Sequence, residues 1–291
     1  MTVRVILNPN AGTKIGIASP RVTAGDLREL LARRGLSAEI VEAPSADRAR
    51  ELTRDAVARG CRAVVAAGGD GTVGLVAGEL IGTTTALGIL PLGSVMNVAR
   101  MLDIPRDLDA AAAVLAAGRA RAIDVGRANG QLFFECGSVG MIAPVFREIQ
   151  RMEDERVAGA LSAVRTVLRY RPARMIMHLD DRVLTTRSLL VTVANGPYTG
   201  IGLTVAPDAR VDDGLFDVRV FRRFGRFGLA FYLMSIAAGR TRYTPRIDAY
   251  RSSTVRIESR SPLPARADGS DLGSTPVTFS LLPRALKVIA P

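Results

Sequence analysis

At 291 residues, 48% hydrophobic and 23% charged, the chain can bury the cores of about two domains, and its composition excludes extensive disorder. Its net charge of +11 is almost all arginine, since lysine occurs only at Lys14 and Lys287. Such a charge favours anionic partners, but aromatics at 5% and the lack of a nucleic-acid-binding module argue against DNA or RNA. A single histidine, His178, leaves no histidine dyad or zinc site, and Cys61 and Cys136 read as buried thiols of a reducing compartment.

Taken from the N-terminus, the first 125 residues alternate short apolar strands with amphipathic helices. Strands are expected at Val3–Leu7, Ala38–Glu42, Ala63–Ala67 and Ala86–Leu90. Between them, Val22–Arg34 carries Leu27, Leu30 and Leu31 on one face, and Ala46–Arg59 carries Ala49, Leu52, Ala56 and Val57. A further helix begins near Thr72. This alternation predicts an α/β domain with a parallel sheet, whose ligands bind beyond the carboxyl ends of the strands. Asn8, Gly68 and Gly93 fall at those ends.

Beyond Ile123 strands follow one another. They are expected at Ala122–Arg127, Gln131–Cys136, Met175–Leu179, Ser188–Ala194, Phe216–Phe221, Thr254–Glu258, Val277–Leu281 and Leu286–Ile289. Asn129-Gly130 and Asp180-Asp181 read as turns between them. Helices are expected over about Ala143–Tyr170 and Arg226–Ala238. The predicted organisation is residues 1–122 as the α/β domain and 123–291 as a mainly β domain, a sandwich, with the last residues packing back on the first domain. The start of the chain carries no signal-peptide pattern, and the apolar run Phe227–Ala238 is too short to span a bilayer. A cytoplasmic protein is expected, its oligomeric state unread, a homodimer being one option.

The most informative segment runs Val64-Val65-Ala66-Ala67-Gly68-Gly69-Asp70-Gly71-Thr72. A buried strand enters a glycine-rich turn that opens a helix, so successive backbone N–H groups can cradle a phosphate at the helix N-terminus. Gly69, Gly71 and Gly74 also meet the spacing of a dinucleotide fingerprint, but the next strand ends in Pro91-Leu92-Gly93-Ser94 without the ribose-binding carboxylate. Asp70 within the turn suits a cation bridging phosphates; the alternative is that Asp70 or Thr72 caps the helix.

With these residues in hand, Gly68-Gly69-Asp70-Gly71-Thr72 resembles the Gly-Gly-Asp-Gly-Thr motif of diacylglycerol-kinase catalytic domains, a group that includes soluble bacterial lipid kinases and sphingosine kinases. Asn8-Pro9-Asn10-Ala11-Gly12 and Leu90-Pro91-Leu92-Gly93-Ser94 are similar to further nucleotide-binding segments of that family. So are Asn195–Gly200, Ala206-Pro207 and Asp212–Val218 to its second-domain signature. The resemblance covers nearly the whole chain and implies ATP- and Mg²⁺-dependent phosphorylation of a lipid hydroxyl such as that of diacylglycerol, in a cleft between two domains. It implies ATP contacts from Asn8, Gly68, Gly69, Asp70, Gly71, Thr72, Val73 and Gly74, with Ser94 and Asn97 nearby. It implies a structural Mg²⁺ held by the Asp213 carboxylate and the carbonyls of Arg210 and Leu215. It also implies that Asp268 acts as, or helps organise, the general base.

The chain departs from the family in places. Ser270 stands where the family has a glutamate, and Asp271, one residue on, is the candidate catalytic carboxylate to substitute for it after a small backbone shift; Gly74-Leu75 and Met96-Asn97 replace Asn-Glu and Asn-Asp. A catalytically impaired lipid- or nucleotide-binding relative is therefore the alternative reading, and NAD kinase the enzyme runner-up. Arg222–Arg240 and Arg147–Arg174 mix basic and apolar residues, as in helices lying on an acidic membrane, here the inner face, or in core helices with solvated arginines.

Overall fold

The computed structural model describes residues 2–11, 22–142, 170–200, 202–222, 224–237 and 247–291. The chain divides into two compact units, Met1–Asp124 with Pro283–Pro291, and Val125–Leu282. The boundary thus falls at 124/125 rather than 122/123, and the chain crosses it twice, in strands β5 (Ala120–Ala128) and β17 (Val277–Ile289).

The first unit alternates β1 (Val3–Leu7), α1 (Ala24–Arg33), β2 (Ala38–Glu42), α2 (Ala46–Ala58), β3 (Ala63–Gly68), α3 (Asp70–Leu80) and β4 (Ala86–Pro91). Its strands run parallel in the order β17-β4-β3-β1-β2. Two further helices, α4 (Asn97–Met101) and α5 (Leu108–Ala117), were not foreseen. The start of α5 is written in Asp107, whose carboxylate accepts the Ala110 amide at 2.8 Å, and its end in Gly118 at φ 64°. Helix α1 begins with a reciprocal Thr23–Asp26 capping box. Helices α1 and α5 pack together on β2 and β4, while α2 and α3 pack together on β1, β3 and β4. Every residue of β1, β3 and β4 is consequently buried, which is why these strands are apolar without alternation. On α2, Thr53 rather than Val57 joins the buried face, its hydroxyl donating to the Ala49 carbonyl at 2.7 Å.

The second unit holds β6 (Gln131–Phe133), β7 (Cys136–Gly140), β8 (Ala173–His178), β9 (Val183–Ala194), β12 (Phe216–Arg222), β13 (Ile247–Ser252), β14 (Thr254–Ser259), β15 (Pro264–Ala267) and β16 (Ser270–Ser274). The short strands β10 (Tyr198–Thr199) and β11 (Leu203–Thr204) pair with each other. Strand β9 pairs β8 with its first half and β7 with its second, and β12 lies antiparallel along its other edge. The arrangement is a β-sandwich-like domain. In β12, Phe216, Val218 and Val220 face one apolar cluster with Phe133 and Phe279, whereas Phe221 joins a second with Phe224, Leu229 and Tyr232. Phe133 stacks on Phe216 at 5.6 Å and meets Phe279 edge-on at 6.0 Å. Burial of each such ring contributes about 1.5–3 kcal/mol. The turn from β5 to β6 uses Asn129 and Gly130 at φ 45° and 89°.

Two expectations shift. The strand expected over Gln131–Cys136 is two strands, interrupted by a bend at residues 134 and 135. The two strands expected near the end are one, β17. Helix α6 (Arg226–Ala237) is present, whereas the helix expected over 143–170 falls almost wholly on residues outside the described ones.

Candidate active site

In the first unit three loops meet at the carboxyl ends of β1, β3 and β4. The Asn8 amide donates to the Ala67 carbonyl at 2.9 Å, and the Leu92 amide to the Gly68 carbonyl at 3.0 Å, so the loops after β1 and β4 are each tied to the end of β3. The Asn8 side chain reaches across to the start of α3, donating to Thr72 Oγ1 at 3.0 Å, while its carbonyl oxygen accepts the Asn10 amide at 3.0 Å.

Glycine is required here by close approach. A Cβ on Gly68 would lie 2.5 Å from Thr72 Oγ1, and one on Gly93 would lie 2.6 Å from the Gly69 Cα and 2.8 Å from Met96 Sδ. The backbones of Gly69 and Gly93 are therefore in contact. Gly71 differs, because nothing lies within 4 Å of its missing side chain and it is exposed. The first-turn amides of α3 open towards that space without intrahelical partners. A helix start of this kind can take an anion such as a phosphate.

Asp70 begins α3 instead of capping it; the N-cap is Gly69, which has no side chain to cap with. The Asp70 carboxylate accepts the Val98 amide at 3.1 Å and so joins the first turns of α3 and α4. Asp70 keeps partial exposure, and Ser94 is exposed beside it on the Gly93 loop. Val73 and Asn97 belong behind the loop: both have 0% exposure, so neither offers surface to a nucleotide, and their expected contacts are corrected on that ground. Thr72, buried to 6%, serves through its bond from Asn8. Sequence reading missed Arg106, whose guanidinium donates to the Gly93 carbonyl at 3.1 Å and brings a cation to the cradle.

In the second unit Asp268 sits in the two-residue turn of the β15–β16 hairpin at φ 45°, a left-handed conformation. Its carboxylate accepts three successive backbone amides: Phe134 at 2.7 Å, Glu135 at 3.0 Å and Cys136 at 3.0 Å. These bonds hold the bend that separates β6 from β7. Of its two expected roles, organiser fits this geometry and proton acceptor does not, since three of about four lone-pair directions are taken. Asp271 is exposed and accepts the Gly273 amide at 2.8 Å, and Ser270 is exposed beside it.

Glu135 carries no sequence motif and was not foreseen. It is 7% exposed; its carbonyl accepts the amides of Asn195 at 2.9 Å and Gly196 at 3.1 Å, and its carboxylate accepts the Gly200 amide at 3.1 Å. Asn195 in turn donates to the Phe134 carbonyl at 3.0 Å. Burial, then the charges of Asp268 and Glu135, push the Cys136 thiol far up, so this cysteine is inert.

The turn expected to hold a metal is arranged differently. Asp213 accepts the Leu215 amide at 3.2 Å on one carboxylate oxygen and pairs with the Arg251 guanidinium through the other. Arg210 turns its guanidinium to Asp212 at 3.3 Å. A divalent ion on Asp213 would have to displace Arg251, so these residues as arranged do not fit the metal.

Comparison with known proteins decides the family. Residues 2–128 match the diacylglycerol kinase catalytic domain, and residues 137–290 match the YegS C-terminal NAD kinase beta sandwich-like domain. A Pseudomonas aeruginosa protein named "Probable lipid kinase YegS-like" is 30% identical over 84% of this chain and 81% of its own. The chain belongs to the diacylglycerol kinase family. A protein of Mycobacterium tuberculosis named "Diacylglycerol kinase" is 28% identical over 99% of this chain and 95% of its own. A diacylglycerol kinase crystal structure from Bacillus anthracis superposes with a TM-score of 0.75 over 100% of this chain and 97% of that one, at 21% identity, a likeness of fold. The chain is thus a member of a lipid kinase family, with the α/β catalytic domain and β-sandwich-like partner domain of that family.

Proposed function

We propose that this protein transfers the γ-phosphoryl group of ATP to the hydroxyl of a membrane lipid, diacylglycerol being the substrate named for its relatives. The observation that carries the reading is the cradle at the start of α3, where Gly69 and Gly93 touch through their backbones and Gly71 faces open space. Phosphoryl transfer asks a protein mainly for positioning and charge stabilisation. The α3 amides would hold the phosphates, Arg106 would add a positive charge, and the Asn8–Thr72 bond would keep the cradle in shape. Asp70, partly exposed at the start of α3, would hold Mg²⁺ on the nucleotide, where the ion would neutralise charge on the transferring group. The second unit would supply the lipid site and the proton acceptor.

The reaction belongs at a membrane surface, and we place the protein peripherally on the inner face. Among the described residues no helix is long and apolar enough to cross a bilayer. The test is transfer of labelled γ-phosphate to mixed lipid vesicles, read by mass spectrometry for the wild type and Asp70→Ala. A phosphorylated lipid that disappears in the variant is the expected result. A wild type that binds ATP and labels no lipid would support the second reading, a binding protein without turnover, which the exposed Ser270 and Asp271 favour. Labelling of NAD in place of lipid would identify an NAD kinase.

A further inference from the structure

We infer that an arginine-lined cavity in the second unit binds a phosphate ester that also carries a free hydroxyl group, glycerol phosphate being the simplest example. The inference stands apart from the lipid-kinase reading, and its test needs no catalysis.

The cavity has a volume of about 570 Å³, within the range of small-molecule sites and more than a bare phosphate ion fills. It lies on strands β12 and β13, and Arg182 from the β8–β9 turn and Arg210 from the segment after β11 also line it. Its floor follows from strand register. Asp217 pairs with Arg251 and Arg219 with Ala249, and the alternation of side chains puts these four on one face. Phe216, Val218 and Val220 take the other face, in the apolar cluster with Phe133 and Phe279. Ala249 contributes only a methyl group beside Arg219 and Arg251, and it is exposed, so the space over it is open.

One part of the lining is fixed. Arg219 and Asp217 are both buried; Arg219 donates to Asp217 Oδ1 at 2.8 Å and stands 3.6 Å from the exposed Asp208. Asp217 Oδ2 is also buried and accepts no hydrogen bond, with Arg251 Nε at 3.8 Å. Burial pushes the Asp217 carboxyl up, against the pull of Arg219 and Arg251. A buried carboxylate oxygen without a donor is costly. A bare anion would make that worse, whereas a ligand hydroxyl would supply the donor.

The other part can adjust. Arg182 and Arg210 pair with carboxylates one and two residues away, Asp181 and Asp212. Exposed pairs of this kind hold weakly, so both guanidiniums can turn to an anion at small cost. Arg251 pairs with Asp213. Asp181, Asp212 and Asp213 do not line the cavity, so an anion inside it meets four guanidiniums against the carboxylates of Asp208 and Asp217. The planar fork of each guanidinium matches two oxygens of a phosphate group.

The experiment titrates the full chain with glycerol 3-phosphate and with methyl phosphate, which has no hydroxyl, by calorimetry. It compares wild type, Arg182→Gln combined with Arg210→Gln, Ala249→Leu and Gly71→Ala. Glycerol 3-phosphate is expected to bind the wild type at least about tenfold more tightly than methyl phosphate, as a hydrogen bond to a charged group would give. The double glutamine variant and Ala249→Leu should each weaken it at least about tenfold, with the melting temperature unchanged because all three positions are exposed. Gly71→Ala should leave it unchanged. Affinity kept in both second-unit variants, or lost in Gly71→Ala, would move the ester to the start of α3 and overturn the proposal. Equal affinity for the two phosphates would overturn the hydroxyl contact, and no binding at millimolar concentration would overturn the site. Vesicles of phosphatidylglycerol, whose headgroup carries both phosphate and hydroxyl, separate the two sources of this chemistry. Release of the sedimented protein by glycerol 3-phosphate would identify a lipid headgroup as the ligand; sedimentation unchanged while the ester binds would identify a soluble one.

Discussion

At the scale of single residues, glycines of the cradle do two different jobs, and substitution separates them. Gly93→Ala forces a Cβ against the Gly69 backbone, which cannot give way as a flexible side chain would. A loss of about 1–3 kcal/mol is expected, seen as a lower melting temperature together with weaker ATP binding. Gly71→Ala meets open space and gains helix propensity, so the melting temperature should hold or rise while ATP binding still weakens. Weakened folding in both variants would show that Gly71 is structural. The cradle was legible in sequence because a strand, a glycine run and a helix are adjacent along the chain. The contact between Gly69 and Gly93 was not, because closeness between separate loops leaves no local pattern. Glu135 was hidden for the same reason: its partners come from residues 195–200 and 268, and it stands alone between apolar neighbours.

At the scale of elements, α6 turns Leu229 and Tyr232 into the second apolar cluster while Phe227 and Phe231, four residues apart, are 65% and 71% exposed. Leu229 and Tyr232 fit the core reading of this segment, and the exposed pair is what a membrane contact would use. Two exposed phenylalanines on one helix face suit insertion into a lipid surface. Replacing both with serine is expected to reduce co-sedimentation with phosphatidylglycerol vesicles by about tenfold or more, since each ring buried in lipid contributes about 1.5–3 kcal/mol. The melting temperature and ATP binding should not change; unaltered sedimentation would assign the pair to another partner. Strands of the second unit were readable where they alternate, as in β12, and misread where tertiary bonds decide. The bend that splits β6 from β7 is imposed by Asp268, 132 residues away from Cys136. Strands β13, β15 and β16 escaped notice because they are short and polar or small in composition, and their pairing partners hold them extended.

At the scale of the whole molecule, fold class followed from the change in rhythm near residue 123, which physics ties to a parallel sheet before it and antiparallel pairing after it. Stability against acid should follow from carboxylates that hold backbone turns. Burial opposes the charge of Asp180, but amides from Ser253 at 2.5 Å and Thr254 at 2.9 Å outweigh it and lower its pKa. A lowered folded value means that the contribution is complete above the unfolded value of about 3.9 and is lost as pH falls through the folded one. Denaturant titrations should therefore show stability declining below about pH 4, less steeply in Asp180→Asn, which is also weaker at neutral pH. Equal slopes in the two proteins would remove Asp180 from the account.

The return of Pro283–Pro291 to the first unit sets an order of assembly on the ribosome. The strand beside β4 is synthesised only after Val125–Leu282, so the sheet of the first unit waits with its β4 edge unpaired while the second unit emerges. During that interval the nascent protein presents an open, apolar strand edge, the usual starting point for misassembly, and the arrival of Pro283–Pro291 is the event that closes it.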